Sequence, residues 1–268
     1  MLVDLSQPVL TAPERDFTSI SVICATLNCA NDLSRLINSL REQTDTSFEF
    51  LVMDGGSTDG TWDLIASNRD IVTSAFSESD HGLYDALNKG IRLSSGEFYL
   101  VVGADDILHP TAIASFKQTI RASLADVIIA AVAVSSGGKI RRGFRRRNAW
   151  LGHAAMVTSH SVGMLFKKSL HDRFGYYSLR YPTVADGLFI KQVCTAADVN
   201  VVAADFVAGE FGVRGLSNRN LGQVLCESWQ IQLDTGENPL IQFLLFQYRL
   251  LRFLPKLISR GAGRRNGR

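Results

Sequence analysis

The sequence of 268 residues has few cysteines, few prolines and a net charge of only +2. Its four cysteines, Cys24, Cys29, Cys194 and Cys226, form no C-x-x-C pair, and no histidine stands beside them at zinc-ligand spacing. A structural zinc site or a disulfide framework is therefore not predicted, and free thiols suit a reducing compartment. No basic start followed by an apolar core opens the chain, because Asp4 and Pro8 stand there, so a secretory leader is not expected. No stretch of about 18 uncharged apolar residues occurs, and no spanning helix is predicted. The longest apolar run, Val127–Val134, has the length of a strand. G-x-G-x-x-G does not follow the first apolar run, and G-x-x-x-x-G-K-[ST] is absent throughout. A dinucleotide-dependent oxidoreductase or a P-loop enzyme lacks its fingerprint here. Neither internal repeats nor low-complexity segments are found. Apolar residues make up 46% of the chain and charged residues 20%, which is enough to bury a sizeable core.

The first half alternates between two periods. Ile20–Thr26 is apolar on both faces and predicts a buried central strand, while Leu33, Leu36, Ile37 and Leu40 predict a helix over Asp32–Gln43. Strands are expected at Phe48–Met53, Ile71–Phe76 and Glu97–Val102, and a helix at Gly82–Ser94. Ser57 or Thr58 is available to cap the helix after the Gly55–Gly60 turn, and Pro110 opens another. Such alternation predicts an α/β fold with a mostly parallel central sheet and helices on both faces. Further on, strands are expected at Asp126–Ser135, Lys139–Phe144 and Val162–Lys167, and a helix near Asp186. A terminal helix is expected over Asn238–Ser259, interrupted at Pro255. We divide the chain into a polar lead-in (1–18), a catalytic domain (19–220) and a C-terminal helical extension with a basic tail (221–268).

In open α/β sheets, ligands bind beyond the carboxyl ends of the strands. Polar clusters occur at three such ends: Thr26-Leu27-Asn28, Asp54, and Asp105-Asp106. Packing alone does not require carboxylates there. A carboxylate can accept hydrogen bonds from a base or a ribose, or hold a divalent cation that in turn holds a diphosphate. The plainer readings stay open beside this one. Asp54 and Asp59 are ordinary turn formers, Asp105-Asp106 and Asp186 can cap helices, and His160 can be structural. Lys89 follows Asp85 by four residues, the spacing of a helix surface pair, and Tyr84 can simply cover the core edge.

The ordered set ATLN, VMDGGSTDGT, SESDHGLYDALNKGI and GEFYLVVGADD resembles the family-2 glycosyltransferases of the GT-A fold, in particular bacterial enzymes of surface-polysaccharide synthesis. The likeness is close over Ile20–Asp106. It continues more loosely through Ser159-His160, Ala185-Asp186 and Phe211–Ser217. The resemblance implies an inverting transfer of sugar from a nucleotide-sugar donor, by default a UDP-sugar, to a saccharide or lipid-linked acceptor, with Mn2+ or Mg2+ as cofactor. It implies that Thr26, Asn28, Asp54 and Asp80 line the donor pocket, that Asp105 touches ribose, that Asp106 holds the metal and that Asp186 is the base. Three positions depart from the family pattern. Leu27 stands where many members have an aromatic residue, Gly103 where a leading carboxylate is common, and Gly187 follows Asp186. A catalytically silent sugar-nucleotide module and a nucleotide-dependent oxidoreductase are the competing functions.

Two basic features remain. Lys139, Arg141, Arg142, Arg145, Arg146 and Arg147 crowd one segment, either as a solvated loop or as a cradle for an acceptor phosphate, with Arg145, Arg146 and His160 as candidate contacts. Arg249, Arg252, Lys256 and Arg260 make one helical stripe among apolar residues, the pattern of a helix lying on an anionic membrane. The expected location is cytoplasmic and peripheral to the membrane. No aromatic-rich reading surface accompanies these charges, which argues against nucleic acid as partner.

Overall fold

The chain enters the sheet through β1 (Ile20–Thr26) and continues with α1 (Ala30–Arg41), β2 (Phe48–Asp54), α2 (Thr61–Ser67), β3 (Ser74–Ser77), α3 (Leu83–Leu93), β4 (Phe98–Val102), β5 (Ile107–Leu108) and α4 (Ala112–Ser123). The second half holds β6 (Val127–Val134), β7 (Lys139–Arg141), a 3-10 turn (Arg146–Leu151), α5 (His153–Met156), a second 3-10 turn (Ser161–Gly163) and β8 (Met164–Lys167). It ends with α6 (Leu170–Phe174), α7 (Ala185–Thr195), β9 (Val201–Phe211), α8 (Leu221–Asp234) and α9 (Pro239–Arg265). This computed structural model describes residues 18–135, 137–214 and 220–265, with side chains as far as residue 255. The expected lead-in lies outside the described residues except for Thr18, as do residues 215–217 of the family likeness.

One sheet runs in the order β3-β2-β1-β4-β8-β6-β9-β5, with β7 added beside β6. The first four strands of that order are parallel, as the alternation predicts. Beyond β4 the directions mix: β8 is antiparallel to both β4 and β6, whereas β9 is parallel to β6. The connections run outward from β1 to β2 and β3, then return to β4 on the other side of β1. That reversal opens a crevice at the carboxyl ends of β1 and β4.

Helices cover both faces because β1 is apolar on both. Val22 and Cys24 pack with Leu33, Leu36, Ile37 and Leu40 of α1, and Ile23 packs with Leu87 and Ile91 of α3. Each fully buried leucine contributes about 1.5–3 kcal/mol. Ser57 and Thr58 do not cap α2. Gly60 takes the N-cap position in a left-handed conformation, and Asp59 accepts from the backbone N–H of Thr61 (3.0 Å). The terminal helix is not broken at Pro255, which sits inside α9.

The last two helices are tied to the body. Glu227 of α8 is buried, and its Oε2 accepts from Thr183 N–H (2.9 Å), Thr183 O–H (2.8 Å) and Val184 N–H (3.1 Å). Those are the residues just before α7, where a helix leaves its first N–H groups without partners. Gln232 donates to the carbonyls of Ala149 and Trp150, and Gln242 of α9 donates to Trp150 (2.7 Å).

One buried histidine, His171, and two half-buried ones, His153 and His160, make stability pH-dependent. Burial pushes His160 down to about 4, with Arg141 adding to the effect, and burial likewise lowers His153 and His171. The unfolded chain takes up protons near the ordinary histidine value of 6.5, where the folded chain does not. Stability is therefore fully present above that value and lost as pH falls towards the folded values. The thermal midpoint is expected to decline as pH drops from 6.5 to 5, and His160→Phe should flatten part of that decline. A midpoint constant from pH 8 to 5 would contradict the account.

Candidate active site

At the end of β2 the Asp54 carboxylate is surrounded by donors. Oδ1 accepts from Thr26 Oγ1 (3.1 Å) and Ser57 Oγ (2.6 Å). Oδ2 accepts from the N–H groups of Gly56 (3.2 Å) and Ser57 (3.0 Å) and from Ser77 Oγ (2.7 Å). Burial would raise its pKa, but these donors outweigh it and hold the carboxyl below its ordinary range. Asn28 adopts a left-handed conformation (φ 49°) and ties two turns together. Its N–H donates to Ser57 Oγ (2.8 Å), and its Oδ1 accepts from Thr58 N–H (2.8 Å). Thr26, Asn28 and Asp54 thus build the floor and wall of the crevice, while Leu27 stands exposed above them.

Asp80 arrives from the loop before α3, where its Oδ1 accepts from Gly82 N–H (2.8 Å). Its carboxylate lies against Gly55, close to Leu27 Cδ1. A cavity of about 170 Å³ adjoins this point, lined in part by Asp54, Phe76, Asp80 and Lys89. Lys89 itself is held by Glu78 (2.7 Å) and Asp85 (3.0 Å), the latter being the pair expected from its spacing.

The two carboxylates after β4 differ in kind. Asp106 is fully buried, with Oδ2 accepting from Gly103 N–H (2.7 Å) and Oδ1 from Gly212 N–H (2.8 Å). Burial pushes this carboxyl up to about 7 against those donors. Asp105 is half-buried, its Oδ2 accepts from Arg214 N–H (2.8 Å), and its Oδ1 has no hydrogen-bond partner among the described residues. Gly212 is required here, because a Cβ at that position would fall 2.2 Å from Asp105 Cγ. No group of three His, Cys, Asp or Glu side chains that could hold a metal occurs among the described residues. Asp105 with one open oxygen still suits Mg2+ or Mn2+, which are commonly bound through one or two carboxylates and completed by substrate phosphate oxygens.

The other side of the crevice is built around Asp186, in the first turn of α7. Its Oδ1 accepts from Tyr84 Oη (2.5 Å) and from Gly187 N–H (2.9 Å). The His153 ring packs on Gly187, where a Cβ would lie 2.4 Å from Nδ1, so the departure at residue 187 makes room for an imidazole. His160 stacks on Phe211 (centroids 3.7 Å apart, 4° between planes) and lies within electrostatic reach of Asp186. Phe211 directly precedes Gly212, so one stretch of backbone touches both the His160 side and the Asp105-Asp106 loop.

Arg145 and Arg146 are exposed on the first 3-10 turn and its cap. Among the described residues, neither guanidinium bonds to Asp105, Asp186 or His160, and Arg146 donates to Val199 O (3.3 Å). Arg141 is the member of the basic segment whose charge reaches His160. Tyr84, whose plainer reading was as cover for the core edge, instead donates to Asp186, and His153 and Glu227, which lie beside or before Asp186, were not singled out in the sequence. Only the unusual Gly187 gave a signal, and it pointed to a neighbour needing space.

A switch-point crevice at the carboxyl ends of parallel strands, with carboxylates around it, is the place where open α/β folds bind their ligands. The sequence model of Glycosyl transferase family 2 matches residues 21–189. A PGL/p-HBAD biosynthesis glycosyltransferase of Mycobacterium tuberculosis (strain ATCC 25618 / H37Rv) is 30% identical over 257 residues, which cover 90% of this chain and 92% of that one. Among solved structures, Staphylococcus aureus TarS 1-349 in complex with UDP-GlcNAc superposes with a TM-score of 0.63 at 18% identity, covering 88% of this chain and 73% of that one. The mannosyltransferase PcManGT from Pyrobaculum calidifontis, in complex with GDP-Man and Mn2+, gives 0.58 at 19% identity, covering 98% and 80%. The chain belongs to glycosyltransferase family 2 and has the GT-A type of fold.

Proposed function

We propose that this glycosyltransferase moves a sugar from a nucleoside diphosphate, by default UDP, to a hydroxyl acceptor in one in-line displacement with inversion. The observation that carries the reading is the pair of available carboxylates: Asp105 after β4, with Gly212 close against it, and Asp186 at the start of α7, each with one oxygen free of hydrogen-bond partners among the described residues. The acceptor O–H attacks the anomeric carbon, its proton passes to Asp186, the bond to the diphosphate oxygen breaks, and the nucleoside diphosphate leaves. The base and ribose lie over the floor built by Thr26, Asn28 and Asp54, beside Leu27 and Asp80. Asp105, with its open oxygen, would hold a divalent cation. Asp106, its oxygens taken by two N–H groups, shapes the loop instead. A cation bound there would supply positive charge to offset the negative charge developing on the departing diphosphate. The test is thermal stability with UDP, GDP, dTDP or CMP, each with Mn2+, Mg2+ or EDTA. A metal-dependent rise with one nucleotide is expected, because a ligand that binds only the native state stabilises it. No rise with any of them would count against the donor site.

The acceptor side is proposed to work at an anionic membrane surface. No described helix is long and apolar enough to cross a membrane. Yet α9 sits with its polarity reversed. Gln242 and Arg249 turn inward to the carbonyls of Trp150 and Leu151, so Arg249 is not part of an outer basic stripe. Leu240, Leu244, Tyr248 and Leu251, spaced 4, 4 and 3, face outward, with Leu251 69% exposed. Arg252 borders this face, and the sequence beyond adds Lys256, Arg260, Arg264, Arg265 and Arg268 with no acidic residue, a complement to anionic lipid. The full chain is expected to float with phosphatidylglycerol vesicles and not with neutral ones, and Leu244→Glu/Leu251→Glu should stay behind. If that variant still floats, or if it only dissociates a dimer, the membrane reading fails.

A further inference from the structure

We propose that Tyr84 is a positioning residue for the carboxylate of Asp186, fixing one oxygen so that the other faces the acceptor. This rests on the assignment of Asp186 as the base. Tyr84 lies in the first turn of α3 and is buried, and among the described residues its hydroxyl has one hydrogen-bond partner, Asp186 Oδ1, at 2.5 Å. The same oxygen accepts from Gly187 N–H (2.9 Å), so both donors act on Oδ1, and Oδ2 has no hydrogen-bond partner among the described residues. A carboxylate held through one oxygen by two fixed donors has its plane set, and its second oxygen stays free to accept a proton.

The phenol cannot easily swing away. Its ring packs on Tyr177 (centroids 5.4 Å apart), whose hydroxyl lies 3.3 Å from that of Tyr99, which in turn lies 2.7 Å from His171 Nε2. The titratable groups that face Asp186 from the surrounding elements are Tyr84, Tyr177, His153 and His160, with Arg249 beyond His153. No ion pair to Asp186 occurs among the described residues, so Tyr84 is its main side-chain stabiliser. Burial and the nearby carboxylate push the phenol well above its ordinary value, so it remains a donor throughout the working range. Donation to the charged form of a carboxyl favours that form, and a charge-assisted bond is about twice as strong as a neutral one.

Tyr84→Phe keeps the ring and removes only the donor. The test is a carbon NMR spectrum of the full chain carrying 13C-carboxyl aspartate, with the Asp186 signal assigned by its loss in Asp186→Asn. In Tyr84→Phe that signal is expected to move, because the carboxylate loses its charge-assisted donor. Release of nucleoside diphosphate from UDP-glucose or GDP-mannose should slow about 10- to 100-fold, with KM for the donor unchanged. If Tyr84→Phe does not fold, 3-fluorotyrosine at position 84 is a stronger donor of the same shape, and the Asp186 signal should then move away from its position in the parent. An unchanged signal in either protein overturns the proposal while leaving the base assignment intact. Full transfer activity in Asp186→Asn overturns the base assignment, and the role of Tyr84 with it.

Discussion

Asp186→Asn is expected to slow sugar transfer by about 10³-fold while leaving nucleotide binding unchanged, the loss typical of removing a positioned general base. The exchange preserves size and keeps an oxygen for Tyr84 Oη and Gly187 N–H, so the first turn of α7 should hold its place. Only the capacity to take the acceptor's proton disappears. In the proposed function donor affinity is built elsewhere, around Thr26, Asp54, Asp80 and Asp105, so the metal-dependent rise in thermal stability should match that of the parent. The pair of results separates an enzyme from a silent binding module. Retention of both binding and rate would show that another group accepts the proton. Loss of binding together with rate would show that Asp186 is structural.

The second large effect divides the two carboxylates after β4. Asp105→Asn is expected to abolish the metal-dependent part of nucleotide binding with little change in the stability of the free protein. The variant keeps an acceptor for Arg214 N–H and loses only the charge beside the diphosphate. Asp106→Asn should do the reverse. Both of its carboxylate oxygens accept from backbone N–H groups, and an amide sets an NH2 against one of them. A buried donor left without its acceptor costs about 1–3 kcal/mol, a drop of several degrees in the thermal midpoint of a chain this long. Calorimetry of both variants, with and without UDP and Mn2+, distinguishes the roles. Metal dependence lost in Asp106→Asn and kept in Asp105→Asn would return the cation to Asp106.

The donor half of the fold was legible because its signals are local. Ile20–Thr26, the leucines of α1 and the carboxylates at strand ends lie in the order in which the sheet uses them. In the second half β6, β7, β8 and the start of α7 were legible as well, but the contacts that assemble them around Asp186 were not, because they join distant residues. Tyr84 and Asp186 are 102 positions apart, and Asp106 and Gly212 are 106 apart. Strand β9 escaped notice because Asp205 and Gly209 break its apolar pattern, although it delivers Phe211 and Gly212 to the site. The distinction between Asp105 and Asp106 could not be read from adjacent identical residues. It depends on which of them the backbone of Gly103 and Gly212 encloses.

The cap that Glu227 places on the start of α7 has a consequence for chimeras. The region shared with the family ends at Leu188's neighbour, Phe189, whereas the side chain that holds Thr183 and Val184 comes from α8, well beyond it. A graft that transplants residues 21–189 onto another scaffold would carry Asp186 without the carboxylate that anchors its helix. Exchange of parts within this family should therefore be cut after α8, so that Asp186 travels with the support of its own helix.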